Sequence, residues 1–305
     1  MASRQARIAE NLRIRARMTS GIRSFFTSDG FLEVEVPCRV PVPLPEAHID
    51  CEPSGGWFLH ASPEACMKRL LCAGYEKIFT ICRVFRQGER GHKHLPEFCM
   101  LEWYRAGAGY KKLMDDCQDL ILFLAQELGH GQAVHYQGAH IDLCLPWPKL
   151  SVRDALEKLS GVALEKALAQ DSFDYLMAFE VEPRLPRDRP VFLYDYPAEK
   201  TPLAKRAAHD PGLTERFELY IAGLELANAY SELNDPAEQR LRLNVEEAVR
   251  VAAGKDPYPP PERFLQDLAS MPPAAGIALG LDRLAMLFAN AADIQDVTAF
   301  TPEEL

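Results

Sequence analysis

The chain has no apolar run near the roughly 18 residues that a membrane-spanning helix needs. The longest compact run extends from Leu120 to Ala125. Its N-terminus, MASRQARIAENLRIRARM, has no apolar signal core, so a cytosolic location is expected. Eight cysteines, at 38, 51, 66, 72, 82, 99, 117 and 144, form no CxxC and no CxxxH. They read as reduced, mostly buried thiols rather than a zinc site. Walker A and GxGxxG sequences are missing, which argues against P-loop and Rossmann nucleotide sites. HxxxH and GxSxG are missing too, and metallopeptidase and α/β-hydrolase readings lose their support with them. Positive charge is in deficit. A formal net charge of −10 argues against a general nucleic-acid binder, whose affinity rests on neutralising phosphates. What is present is an ordinary globular composition, 48% hydrophobic and 26% charged over 305 residues. Such a chain can bury a sizeable core and needs no staples.

Hydrophobic periodicity predicts a helix over residues 4 to 28 (Ile8, Leu12, Met18, Ile22, Phe25, Phe26), closed by Asp29-Gly30. FLEVEV then alternates as a strand until Pro37, and residues 37 to 57 read as an extended loop with five prolines. Ser62-Pro63-Glu64 reads as a helix start, with a capping hydroxyl, an early proline and an acid in the first turn. KIFTICRVF and EFCMLEWY form a long hairpin around the charged loop GERGHKH. An amphipathic helix covers 110 to 128, shorter helices fill 151 to 182, and PVFLYDYP is a strand. RFELYIAGLELANAYSEL reads as two strands around Gly223, and helices follow at 236 to 253 and 261 to 269. GIALGLDRLAMLFAN runs from a strand into a final helix. These elements predict one α+β domain around an antiparallel sheet.

Acids stand on the predicted strands: Glu218 and Glu225, seven apart on adjacent strands, then Glu232, and Glu102 inside EFCMLEWY. Carboxylates among apolar neighbours need a metal, a cation or a hydrogen-bond network, unless they face the solvent side of the sheet. Arg86 ends the strand before the glycine-bearing loop, and Arg283 opens the last helix. Paired guanidinium groups suit phosphate oxygens and can stack on an aromatic base. Opposed carboxylates could hold magnesium on the same phosphates. Together they point to a nucleotide site. His92, Lys93 and His94 cluster in the loop, the first two as solvated charge.

At this level the chain resembles the catalytic domain of class II aminoacyl-tRNA synthetases, closest to the lysine branch. IRSFFTSDGFLEVEVP, FRQGERGHKHLPEFCMLEWY and GIALGLDRLAML resemble the three class motifs, in order, and TPLAK and RFELYIAGLELANAYSELND resemble lysine-type segments. The first motif begins almost at Met1, so 1–305 is expected to be a single catalytic domain without the anticodon-binding OB-fold. The chain is therefore similar to the short paralogues that ligate β-lysine to a lysine of translation elongation factor P, as SPEACMKRLL, MLEWYRAG and Ala278 in GIALG also indicate.

The resemblance implies ATP as substrate, with Arg86 on its α-phosphate and Phe98 and Arg283 around the adenine. Glu89 and His94 are further nucleotide contacts, and Glu218 and Glu225 are magnesium ligands. It implies Glu64 for the substrate's backbone-side amino group. Glu102, Tyr104 and Glu232 would surround the distal ammonium, Asn228 would hold the carboxylate, and Ala278 would shape the pocket for the β-amino isomer. A two-step acyl transfer through an adenylate, a homodimer joined through the first motif, and elongation factor P as acceptor follow from the same source. Two departures are visible. The usual FRxE reads Arg86-Gln87-Gly88-Glu89, and the usual NGF reads Asn228-Ala229-Tyr230. Rival expectations are aminoacylation of tRNA by a truncated lysyl-type enzyme, a non-catalytic binding module, and an amide-forming synthetase. Net charge opposes the first, the retained arginines and acids the second, and Glu102 and Glu232 the third.

Overall fold

The structure, a computed structural model, describes residues 3–305. The N-terminal periodicity gives a short turn, Arg4–Arg7, and then α1, Ala9–Ser28, parted at Ile8. The strand expected from FLEVEV pairs over only two residues, β1 (Leu32–Glu33), at the edge of the sheet. Beyond it, Val34 makes one more backbone bond, to Phe79 O (2.9 Å), and Val34 and Val36 pack against a second core. The proline-rich stretch departs from a plain loop. Arg39–Val40 and Glu52–Ser54 pair with Trp57–Leu59 as a small side sheet, in strands too short to show a period.

Helix α2 (Glu64–Cys72) precedes the expected hairpin of β2 (Lys77–Phe85) and β3 (Glu97–Ala106), and α3 (Tyr110–Glu127) follows. After a segment of short helices come β4 (Lys149–Ser151), β5 (Val191–Pro197), β6 (Asp210–Ile221) and β7 (Leu224–Ser231). The chain ends with α4 (Pro236–Ala252), α5 (Glu262–Leu268), β8 (Ala274–Gly280) and α6 (Leu281–Phe288). The main sheet has the order β1-β2-β3-β8-β7-β6-β5-β4, with Arg206–Ala207 attached to β6. Pairing is antiparallel from β2 through β5 and parallel at both edges. The α+β reading holds.

The period of two along these strands decides which side chains meet. One face carries Leu101 and Trp103 of β3, Phe217 and Leu219 of β6, Ala227 and Ala229 of β7 and Ile277 and Leu279 of β8. This face packs under α1, α3 and α6 through Met18, Ile22, Phe26, Leu120 and Leu284. The alternate residues, Glu102, Tyr104, Glu218, Asn228, Tyr230 and Ala278, must then turn to the opposite face. There α2, α4 and α5 build a smaller core with Met67, Leu71, Leu243 and Phe264 and leave the middle of the sheet uncovered. The cysteines are free, as expected, but fewer are buried than expected: Cys51 and Cys117 are buried, Cys144 is exposed and the others are intermediate. Among the described residues, no helix is long and apolar enough to cross a membrane.

Candidate active site

A cavity of about 710 Å³ occupies the uncovered face. Arg86, Glu89, His94, Phe98, Glu64, Glu102, Tyr104, Glu218, Glu225, Asn228, Ala278 and Arg283 all line it. Glu232, expected among them, lies behind the wall, 2% exposed.

One end is a cluster of acids. Register places Glu102 opposite Ala278, and Ala278 opposite Asn228. Glu102 accepts hydrogen bonds from Ser62 Oγ (2.6 Å) and Tyr104 Oη (2.7 Å). Ser62 Oγ also accepts the Glu64 N–H at 3.1 Å, although Pro63, expected as the first helical residue, is the N-cap of α2. Glu64 accepts from Tyr230 Oη at 2.6 Å, so the residue that departs from the usual motif adds a hydroxyl directly to one of the acids of the cluster. Lys68, one turn beyond Glu64 and fully buried, pairs with Glu64 and with Glu232 Oε2 (2.6 Å). Glu232 Oε1 is buried without a partner. A side chain at Gly276 would collide with the Tyr104 ring and the Glu232 carboxylate, so only glycine fits there.

Three carboxylates thus crowd this end, and two of them, Glu64 and Glu232, share its one ammonium. Burial, aided by Glu64, pushes Glu102 up to about 8 against the pull of its hydroxyl donors. Burial also works against the Lys68 ammonium, but Glu232 and Glu64 outweigh it and hold that pKa above its ordinary value. The cluster is short of positive charge, and an entering ammonium would supply it.

The other end is basic and half-open. The Arg86 guanidinium lies over the Phe98 ring, 5.2 Å from its centroid, and its Nε is buried without a partner. Gly88 adopts φ +76°, a left-handed turn that accommodates the extra residue of Arg86-Gln87-Gly88-Glu89. The Glu89 N–H reaches back to Arg86 O (3.3 Å) and its carboxylate stands 3.5 Å from the guanidinium. The displaced glutamate therefore still faces Arg86. Arg283, in the first turn of α6, donates to Glu225 O (2.8 Å) and Lys93 O (3.2 Å) and meets His94 Nε2 at 2.6 Å. Burial, reinforced by Arg283, lowers the His94 pKa, so its neutral ring can accept that bond.

Between the two ends, Glu218 Oε2 accepts from Tyr196 (2.6 Å) and Tyr220 (2.7 Å), and Oε1 from Arg216 (2.6 Å). Burial pushes Glu218 upward and Glu225 adds to the push, while Arg216 opposes it. Glu218 Oε1 keeps a lone pair and Glu225 is 41% exposed. Two such carboxylates fit magnesium, which takes one or two protein carboxylates and completes its shell with phosphates and water.

Sequence reasoning missed several members. Arg216 donates to Asn228 Oδ1 (2.9 Å) as well as to Glu218. Its even spacing from Glu218 along the strand was a usable signal, as was the four-residue step from Glu64 to Lys68. Glu46 lines the cavity, and burial pushes its carboxyl up to about 7. Glu182 is raised to about 7 by burial and by Glu218 and Glu225. Neither stands in a motif or a periodic element, so no local signal marks them.

The family described as tRNA synthetases class II (D, K and N) matches residues 1–304. The lysine–tRNA ligase of Moorella thermoacetica is 38% identical over 94% of this chain and 64% of that protein. The lysine–tRNA ligase of Anaeromyxobacter dehalogenans strain 2CP-C is 37% identical, again over 94% and 64%. The chain thus spans just under two thirds of the length of these relatives. The elongation factor P–(R)-beta-lysine ligase of Enterobacter sp. strain 638 is 37% identical over 95% of this chain and 94% of that protein.

Proposed function

Because the chain belongs to the family of class II tRNA synthetases of the D, K and N type, we propose that it is an ATP-dependent aminoacyl ligase. On this reading it activates (R)-β-lysine, or lysine, and joins it to a lysine side chain of translation elongation factor P. The carrying observation is the acid cluster, in which Lys68 pairs with Glu64 and Glu232 while Glu102 has only the hydroxyls of Ser62 and Tyr104. A lysine isomer brings two ammonium groups to that deficit, and an uncharged analogue would leave the acids unpaired. The relative matched over nearly its whole length, the Enterobacter ligase, supports the protein acceptor.

In the first step the substrate carboxylate, held by Asn228, attacks the α-phosphorus of ATP. A new P–O bond forms, the bond to the β-phosphate oxygen breaks, and pyrophosphate leaves. Arg86 stabilises the charge that grows on the α-phosphate oxygens, and Phe98 and Arg283 position the adenine. Magnesium held by Glu218 and Glu225 would neutralise charge on the phosphates. In the second step the neutral amine of the acceptor lysine attacks the acyl carbon, AMP leaves, and the nitrogen gives up its proton. No side chain is acylated on this route. The reading includes a cytoplasmic enzyme and a homodimer. Since α1 uses Met18, Ile22 and Phe26 in its own core, pairing through the first motif would use its outer face and the exposed Leu32.

The second reading, aminoacylation of tRNA, draws on the lysine–tRNA ligases at 37–38% identity. Radiolabelled lysine isomers offered with ATP, elongation factor P and bulk tRNA separate the two. Label that protease releases and nuclease leaves intact supports the protein acceptor. Nuclease-sensitive label replaces it with the second reading.

A further inference from the structure

Helix α4 is amphipathic the wrong way round for a surface helix. Beside the buried Leu243, several of its polar and cationic residues point inward, while Arg240 and Asn244 stay exposed. Gln239 is fully buried and donates to Pro202 O (3.1 Å). Arg250, 2% exposed, holds Glu46 O, Ile49 O and Asp50, while Arg242 holds Thr201 O and Ala204 O. These bonds fix two loops that border the cavity. The outward face carries instead Leu241 (67% exposed), Val245 (61%) and Val249 (44%), one turn apart, with exposed Ala237, Ala248 and Ala252 beside them. Such a contiguous apolar strip on a helix capped by Asp235 is a rigid surface that calls for a partner.

The strip leads into the reacting cavity, because Val245, Glu246 and Val249 line it. The same mouth carries the exposed acids Asp171, Asp174 and Glu199, answered there by Lys200, which bridges Asp174 at 2.7 Å. Next to Asp174, the exposed Tyr175 packs against Phe179 with tilted rings whose centroids are 4.8 Å apart. The mouth is therefore apolar and acidic together. A second copy of this chain laid along the strip would cover Val245 and Val249 and close the route to the cavity.

We propose that the outward face of α4 from Leu241 to Val249 is the docking strip for the protein acceptor. Its occupant is a basic segment in which apolar side chains flank the reacting lysine. The inference rests on the ligase reading above and adds to it the surface and the chemistry of the partner.

The test replaces Leu241 and Ala248, exposed positions that do not line the cavity, by two lysines in one variant and two glutamates in another. Lysine-dependent ATP–pyrophosphate exchange should stay within about twofold of wild type in both, which shows that fold and adenylation are intact. The KM for unmodified elongation factor P should rise at least tenfold in the Leu241→Lys/Ala248→Lys variant, with kcat retained, and less in the glutamate pair. An unchanged KM in both variants, with the wild type labelling the factor, overturns the docking strip alone. A larger loss for the glutamate pair overturns the basic occupant. A dimer that sedimentation finds in wild type and not in the variants assigns the strip to a second copy. A wild type that never labels the factor overturns the ligase reading, and the docking strip with it.

Discussion

At the acid end of the cavity, Glu102, Tyr104, Lys68 and Glu232 are almost wholly buried and bonded to one another. At the basic end, Arg86 and Arg283 keep 24% and 19% of their side-chain exposure, and their partners come from the loop after β2 and from the strands β3 and β7. The first end is built by strand parity and one helix, so its geometry exists before any substrate arrives. The second is held together largely by Arg283, which ties Lys93 and His94 of the loop to Glu225 of β7. On the proposed function, the contrast would give selectivity to the rigid end and charge stabilisation during reaction to the tethered one. Substitutions can break that division.

The largest effect is expected at the tether. Arg283→Ala should reduce pyrophosphate exchange by roughly 10²–10³-fold. The loss should fall on kcat and the KM for ATP, with the KM for the lysine isomer little changed. Near-normal exchange would remove Arg283 from the nucleotide end.

At the rigid end, Glu102→Gln should raise the KM for the lysine isomer by roughly 100-fold and leave that for ATP alone. The same variant has a pH signature. Burial holds folded Glu102 at about 8, far above an ordinary carboxylate, so the folded state keeps a proton that the unfolded state has lost. That costs the wild type stability progressively as pH rises from about 4.5 to 8. The substrate-free glutamine variant should match the wild type in Tm near pH 5 and exceed it at pH 8.5. Equal values at both pH would show Glu102 ionised and solvated.

Smaller effects sharpen the assignment. Ala278→Gly enlarges the wall between Glu102 and Asn228 and should shift the ratio of kcat/KM toward α-lysine by roughly tenfold. Tyr230→Phe removes the 2.6 Å bond to Glu64 and should cost about fivefold in kcat/KM for the lysine isomer, without changing the KM for ATP. An unchanged isomer ratio, or a fivefold loss read on ATP, would place these residues elsewhere.

Strand parity explains why so much of this was readable beforehand. Once Leu101, Trp103, Phe217, Ala227 and Ala229 are assigned to the core, Glu102, Tyr104, Glu218 and Asn228 must share the other face, and they do. Arg86, Phe98 and Arg283 stand where strands and the last helix begin or end, which a motif also marks. The reading failed where the determinant was not local. Glu232 follows the parity of its neighbours but retreats behind the wall, because Lys68 draws its carboxylate inward. Lys68 itself looks like a surface residue in EACMKRLLC until Glu64 and Glu232 bury it. Glu46 lines the cavity from an irregular loop and Glu182 stands near Glu218 and Glu225 from the segment of short helices, where no period exists to extrapolate. The short side strands after Pro37 escaped notice for the same reason.

The most direct measurement is the intact mass of unmodified elongation factor P after incubation with the purified chain, ATP, magnesium and (R)-β-lysine, with α-lysine in a parallel reaction. A gain of one lysyl group, dependent on ATP and larger with the β-isomer, is the predicted result. No gain with either isomer, while pyrophosphate is released, would contradict the protein acceptor and leave only the activation chemistry standing.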